Sequence, residues 1–171
     1  MGHRRAAKWI VFLLAPLTLQ AAGCDALIGT WTVNWQRSAI SKPRPKSLVR
    51  TYGKVDSRIK VSETRIDANG SRSDIEYAAG YDGKEYPVLT SSGDVLALVA
   101  SSETIALKEL GVCSAEGTAR ENGRIVYQFR RALANDGKSL TVEITDFLPN
   151  GKRNSSRLVY ERADAPLRHA P

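Results

Sequence analysis

From residue 29 onward, apolar and polar side chains alternate in short runs divided by turn signals. In Trp31-Thr32-Val33-Asn34-Trp35 the apolar side chains fall on odd positions. Ile75, Tyr77, Ala79 and Tyr81 share one parity, as do Ile125, Tyr127 and Phe129, and Leu140, Val142 and Ile144. A period of two is that of a strand with one dry and one wet face. Five Asn-Gly or Asp-Gly pairs, Asn69-Gly70, Asp82-Gly83, Asn122-Gly123, Asp136-Gly137 and Asn150-Gly151, supply the positive φ that tight hairpin turns require. Their glycines are 13, 40, 14 and 14 residues apart, and 40 is close to three units of the same pitch. Segments 94–100 (DVLALVA) and 103–110 (ETIALKEL) are more continuously apolar. The second opens on Thr104-Ile105 and is closed by Gly111, which reads as strand rather than as a short helix.

Uniform pitch with no long helical pattern predicts an all-β fold, an antiparallel up-and-down meander of about ten strands over residues 24–163. Closing the meander into a barrel buries its dry face and removes its edges. The longest interruption, Gln36 to Ser47, contains Pro43 and Pro45 and cannot pair as a central strand, so it is expected as a semi-rigid loop across one barrel end. Residues 164–171 read as a flexible tail.

The first 23 residues carry the three parts of an export signal: a basic start (Arg4, Arg5, Lys8), an apolar run from Trp9 to Leu17, and the small residues Ala21-Ala22-Gly23. The apolar run is well short of the ~20 residues that a membrane span needs. The segment takes three of the 25 basic residues and none of the 18 acidic ones, so the remainder carries +4. That mild, scattered excess argues against nucleic-acid binding, because its densest run, Lys42-Pro43-Arg44-Pro45-Lys46, lacks interleaved aromatics. The expected location is the cell envelope, on the periplasmic side. Cys24 and Cys113 are the only cysteines. Ala21-Ala22-Gly23-Cys24 resembles the bacterial lipobox, which would make Cys24 an acylated membrane anchor, and Asp25 after it is, by analogy, an inner-membrane retention signal. Alternatively, Cys24 pairs with Cys113 in the disulfide that an oxidising compartment permits.

Gly29-Thr30-Trp31 at the first strand and Tyr160-Glu161-Arg162 at the last make the chain resemble the calycins, the lipocalin and fatty-acid-binding-protein superfamily. A group of exported bacterial lipocalin-like proteins shares the GTWxxN start (Gly29 to Asn34), the YDGKxYP segment (Tyr81 to Pro87), the hairpin around Asp136-Gly137-Lys138 and the terminal YER. The resemblance implies a lipocalin-like barrel in which Arg162 packs across Trp31 beside Gly29 to seal the closed end. The carboxylate-binding Arg-x-Tyr of fatty-acid-binding proteins is replaced here by Arg157-x-x-Tyr160, whose odd spacing puts the two on opposite faces.

Catalysis is hard to build from this inventory. Past the signal there is one histidine, His169 in the tail, which excludes a histidine-based triad and a multi-histidine metal site from the barrel. Asp74 and Glu76 share a face two residues apart, but it is the wet face. The inward set Trp31, Trp35, Tyr77, Tyr81, Tyr127 and Phe129, with Arg131 and the tyrosine hydroxyls as sparse polar contacts, matches the composition of a small-molecule site. The sequence therefore predicts a monomeric barrel, not an enzyme and without cofactor or metal, that binds a lipid or another hydrophobic or amphiphilic molecule. The alternative is a filled barrel that serves as an envelope interaction module.

Overall fold

The computed structural model describes residues 24–93 and 97–163, so the expected export signal and tail lie outside the described residues. A 3-10 turn, Asp25–Leu27, leads into ten strands: β1 (Gly29–Val33), β2 (Ser47–Val55), β3 (Arg58–Ile66), β4 (Arg72–Ala79), β5 (Asp82–Ser92), β6 (Val99–Gly111), β7 (Ser114–Glu121), β8 (Arg124–Leu133), β9 (Ser139–Phe147) and β10 (Arg153–Arg162). Each strand is antiparallel to its chain neighbours, and β10 also pairs with β1, which closes the ring. The fold is the all-β, ten-stranded closed meander that alternation and turn pitch predict. The β1–β2, β3–β4, β5–β6, β7–β8 and β9–β10 connections lie at one end, the mouth, and the others lie at the base.

Four of the five glycine pairs mark hairpin tips, with positive φ at Gly70, Gly123, Gly137 and Gly151. Asp82-Gly83 does not. Gly83 has φ 75° inside β5, where the ladder to β6 slips between Asp82 and Glu85. The pair makes a β-bulge, held by the Lys84 amide donating to Asp82 Oδ1 at 3.1 Å, and the hairpin turns just before it. Within the 40-residue gap, positive φ at Gly93 and Cys113 marks the two further turns. Of segment 94–100, residues 94–96 lie outside the described residues, Ala97 and Leu98 stand outside the ladder, and β6 starts at Val99 and takes in 103–110. Leu98 and Val99 are exposed.

The base is sealed around Trp31, which is fully buried. Its indole Nε1 donates to the Leu27 carbonyl at 2.9 Å, and the Arg162 guanidinium lies 4.4 Å from the ring centroid. Arg162 also donates from Nη1 to the Ile28 carbonyl at 2.9 Å and from Nη2 to the Ala26 carbonyl. One guanidinium thus stacks on the first strand while satisfying carbonyls of the segment that leads into it. Gly29 is required for two reasons: its φ is 134°, and a Cβ there would stand 2.6 Å from Arg162 Nη1.

β1 stops at Val33 rather than running through Trp35. The Asn34 side chain accepts from the Gln36 and Arg37 amides at 3.0 and 3.2 Å, which turns the chain outward. Ala39 then returns to β10 by mutual backbone bonds with Arg157. The rest of the connection crosses the mouth, with Pro45 buried.

Cys24 and Cys113 form a disulfide that spans 89 residues, with Cα atoms 4.9 Å apart. A sulfur committed to a disulfide has no valence left for an acyl thioether, so the staple replaces the lipid attachment expected at Cys24. Both cysteines are at the base: Cys24 just ahead of the 3-10 turn, Cys113 at the β6–β7 turn.

Gly29→Ala is expected to cost about 2–3 kcal/mol in urea melts, from backbone strain and displacement of Arg162; wild-type stability in that variant would refute the sealing role. Replacing both cysteines by serine is expected to cost about 2–5 kcal/mol in the same assay.

Candidate ligand-binding chamber

The mouth half of the barrel is hollow. A cavity of about 180 Å³ is lined by Val61, Ile75, Tyr77, Tyr127, Phe129, Val142 and Ile144, with Lys42, Arg50, Glu63 and Asp146 at its rim. A second cavity, of about 120 Å³, lies under the β1–β2 connection and is lined by Trp35, Ile40, Pro43, Pro45, Leu48 and Leu158 among others. The two share Lys42, Arg50, Glu63, Ile144 and Asp146, so the deeper chamber meets the outer one across a polar waist.

Local sequence explains the shape. The inward positions of β7 are Ala115, Gly117 and Ala119, and a Cβ on Gly117 would overlap the Phe129 ring. Phe129 therefore lies against the β7 backbone. Roofing the mouth, Trp35 carries the Arg44 guanidinium 4.9 Å from its ring centroid.

Two ion pairs form the waist. Arg50 Nε donates to Glu63 Oε2 at 2.8 Å, and Nη2 donates to the same oxygen. Both side chains are mostly buried, at 14% and 16% exposure. Burial opposes the Arg50 charge, but the Glu63 carboxylate together with Tyr160, Tyr52 and Tyr77 outweighs it and keeps the guanidinium pKa well above its ordinary value. Lys42, from the mouth connection, donates to Asp146 Oδ1 at 2.9 Å and closes the connection onto β9.

On the other side, the Tyr127 hydroxyl donates to Glu103 Oε1 at 2.9 Å. Desolvation pushes the Glu103 carboxyl up, the Tyr127 bond opposes this, and the neighbouring Glu121 charge adds to the rise. Burial also raises Tyr77 and Tyr127, which keeps both hydroxyls protonated as donors in the wall.

The structure divides the seven residues expected to bind ligand. Tyr77, Tyr127 and Phe129 line the chamber, and Trp35 lines the mouth cavity. Trp31, Tyr81 and Arg131 line neither, because they fill the base half. β8 descends from the mouth, so Arg131 sits deeper than Phe129, on the base side of the chamber wall. It does point inward, with only 3% of its surface exposed. Its guanidinium is 5.0 Å from the Tyr52 centroid and 5.5 Å from the Tyr81 centroid, and Nη2 donates to the Tyr81 hydroxyl. Arg131 Nε and Nη1 have no partner among the described residues.

Sequence reasoning missed Lys42, Arg50, Glu63 and Asp146. A signal was present for three of them. Arg50 falls between Leu48 and Tyr52 on one parity, Glu63 extends Ile59 and Val61, and Asp146 extends Leu140, Val142 and Ile144. Asp74 and Glu76 lie on the outer face and are engaged there. Asp74 accepts from Arg72, Thr64 and Ser91, and the Arg72 bond holds its carboxyl below the usual range, while Glu76 accepts from Ser62 and pairs with Lys60. Among the described residues, no group of three or more His, Cys, Asp or Glu side chains is placed to hold a metal ion.

Among solved structures, the zebrafish ileal bile acid-binding protein complexed with cholic acid is similar at 12% identity and a TM-score of 0.49, over 81% of this chain and 99% of that one. The siderocalin Ex-FABP is similar at 10% identity and a TM-score of 0.36, over 82% of this chain and 78% of that one. No protein-family model and no curated protein matches the chain.

Glu103 provides a pH test of the chamber wall. Its folded pKa is raised, so it favours folding when protonated, and that contribution is lost as pH rises from the ordinary carboxylate range through the raised value. Glu103→Gln keeps a neutral acceptor for Tyr127. Urea melts across that window are expected to show the variant lacking the wild-type loss, and at least as stable as wild type at neutral pH; lower stability there would contradict the desolvation account.

Proposed function

We propose that the protein is an exported binding barrel, without chemical turnover, for a slender amphiphile whose apolar portion enters the chamber and whose polar head stays at the waist. One observation carries this proposal: an apolar chamber with two tyrosine hydroxyls meets the mouth at the Arg50–Glu63 and Lys42–Asp146 pairs. Mostly apolar walls with a few fixed polar groups are what small-molecule sites use. At about 180 Å³ the chamber is smaller than the ~300 Å³ at the low end of such sites, which favours a single narrow chain over a bulky ring system.

Export to an oxidising compartment of the cell envelope is supported by the Cys24–Cys113 disulfide, since such bonds persist there. A closed ring leaves no sheet edge for another copy to extend, which supports action as a single barrel.

The test is a fluorescence titration with a dansyl-labelled fatty acid. Wild type is expected to bind it saturably at one site. Ile75→Trp, which places an indole in the chamber, is expected to weaken binding at least tenfold while circular dichroism shows the barrel retained; absence of wild-type binding, or full binding by the filled variant, would refute the proposed site.

A further inference from the structure

Charge is distributed unevenly between the two ends of the barrel. Around the mouth stand five exposed bases: Arg44 and Lys46 on the β1–β2 connection, Arg124 beyond the β7–β8 turn, and Lys152 and Arg153 at the β9–β10 turn. None of them forms an ion pair within 4.0 Å among the described residues. Other bases at this end are committed: Lys42 to Asp146, Arg65 to Asp67, and Arg72 to Asp74. The exposed rim carboxylate without a basic partner among the described residues is Glu121, which accepts from the Ser102 hydroxyl. At the base, Lys54, Arg58 and Lys84 are paired with Asp25, Asp56 and Asp82, unpaired Lys108 and Lys138 stand near Glu109 and Asp136 in sequence, and Arg162 is bound to the Ala26 and Ile28 carbonyls.

The same rim exposes apolar side chains. Leu98 and Val99, at the start of β6, are 38% and 58% exposed. Arg153 lies 5.1 Å over the Phe147 ring, which pairs a cation with an aromatic plane at the edge of the opening.

We propose that the mouth docks on an anionic lipid bilayer, with the five rim bases against lipid headgroups and Leu98 and Val99 dipping into the interface. Two features favour a bilayer over an acidic protein. The free cations come from three separate connections around the opening, as contact with a flat surface requires, and an apolar tip accompanies them, as interfacial insertion requires. Docked in this way, the barrel points its opening at the lipid. That the chamber takes its ligand there rests on the function proposed above; the docking itself rests on the rim.

The experiment is co-sedimentation of the full chain with vesicles of phosphatidylcholine alone or of phosphatidylcholine mixed with phosphatidylglycerol. Binding is expected only to the mixed vesicles and is expected to fall as salt is raised, because screening shortens the reach of the rim charges. Each rim base lost should weaken partitioning about fivefold, so the triple variant K46Q/R124Q/R153Q should bind on the order of 100-fold more weakly. L98S/V99S should weaken binding without changing its salt dependence. Equal binding to both vesicle types, undiminished binding by the triple variant, or no vesicle binding at all would each overturn the docking face. The dansyl fatty acid titration, run without vesicles on the same triple variant, is expected to match wild type. Loss of vesicle binding with probe binding intact removes the docking face and leaves the proposed function standing. Salt-sensitive vesicle binding without any probe binding leaves the docking face standing and removes the proposed function.

Discussion

The barrel depends on one guanidinium. β1 is only five residues long and pairs with β10 over Trp31–Val33, so the ring closes through its shortest ladder. Arg162 strengthens that closure by stacking on Trp31 and binding the Ala26 and Ile28 carbonyls, so the last strand holds both the first strand and the segment before it. The guanidinium charge assists both hydrogen bonds, which makes them stronger than bonds between neutral groups. A closed ring is also what gives every strand a defined inside, and the chamber exists only because the ring closes.

Inside the ring, the two halves meet opposite electrostatic demands. In the base half, Arg131 is a buried cation with no carboxylate beside it. The faces of Tyr52 and Tyr81 supply the negative potential instead, and burial works against the charge while those tyrosines oppose the loss. In the mouth half, Arg50 is anchored to Glu63 on the neighbouring strand and Lys42 to Asp146. Pairing offsets the desolvation that a lone buried charge would suffer. The base is filled, whereas the mouth is hollow and polar at its waist.

Much of the fold was legible because alternation and turn glycines report local backbone conformation. The period-two runs of 75–81 and 140–144 carried the inward parity through, and Asn122-Gly123 adopts the positive φ that its sequence demands. Failures came where one signal serves two structures. Asp82-Gly83 satisfies a bulge as well as a turn, and only the slip of the β5–β6 ladder separates the two. Trp35 continues the parity of β1, yet Asn34 caps a turn that removes it from the strand. The Arg50–Glu63 pair was hidden because a charged residue on an inward parity looks like a break in the pattern until its partner on the adjoining strand is known. Lys42 has no parity at all, since a loop carries it to Asp146. Arg162 was found through a family resemblance, not through periodicity.

The β4–β5 ladder runs only over Ser73–Glu76 with Leu89–Ser92, although both strands continue well below it. Together with the short β1–β10 ladder, this gives the wall two seams. Mechanically the molecule is then a pair of curved plates, one of four strands (β1 to β4) and one of six (β5 to β10). The disulfide is a rivet from the segment ahead of the first plate to the second, and the contact of Arg131 with Tyr52 is a spacer between them. Parting the plates would break only these two short ladders, and a rivet at the base would confine such a parting to the mouth.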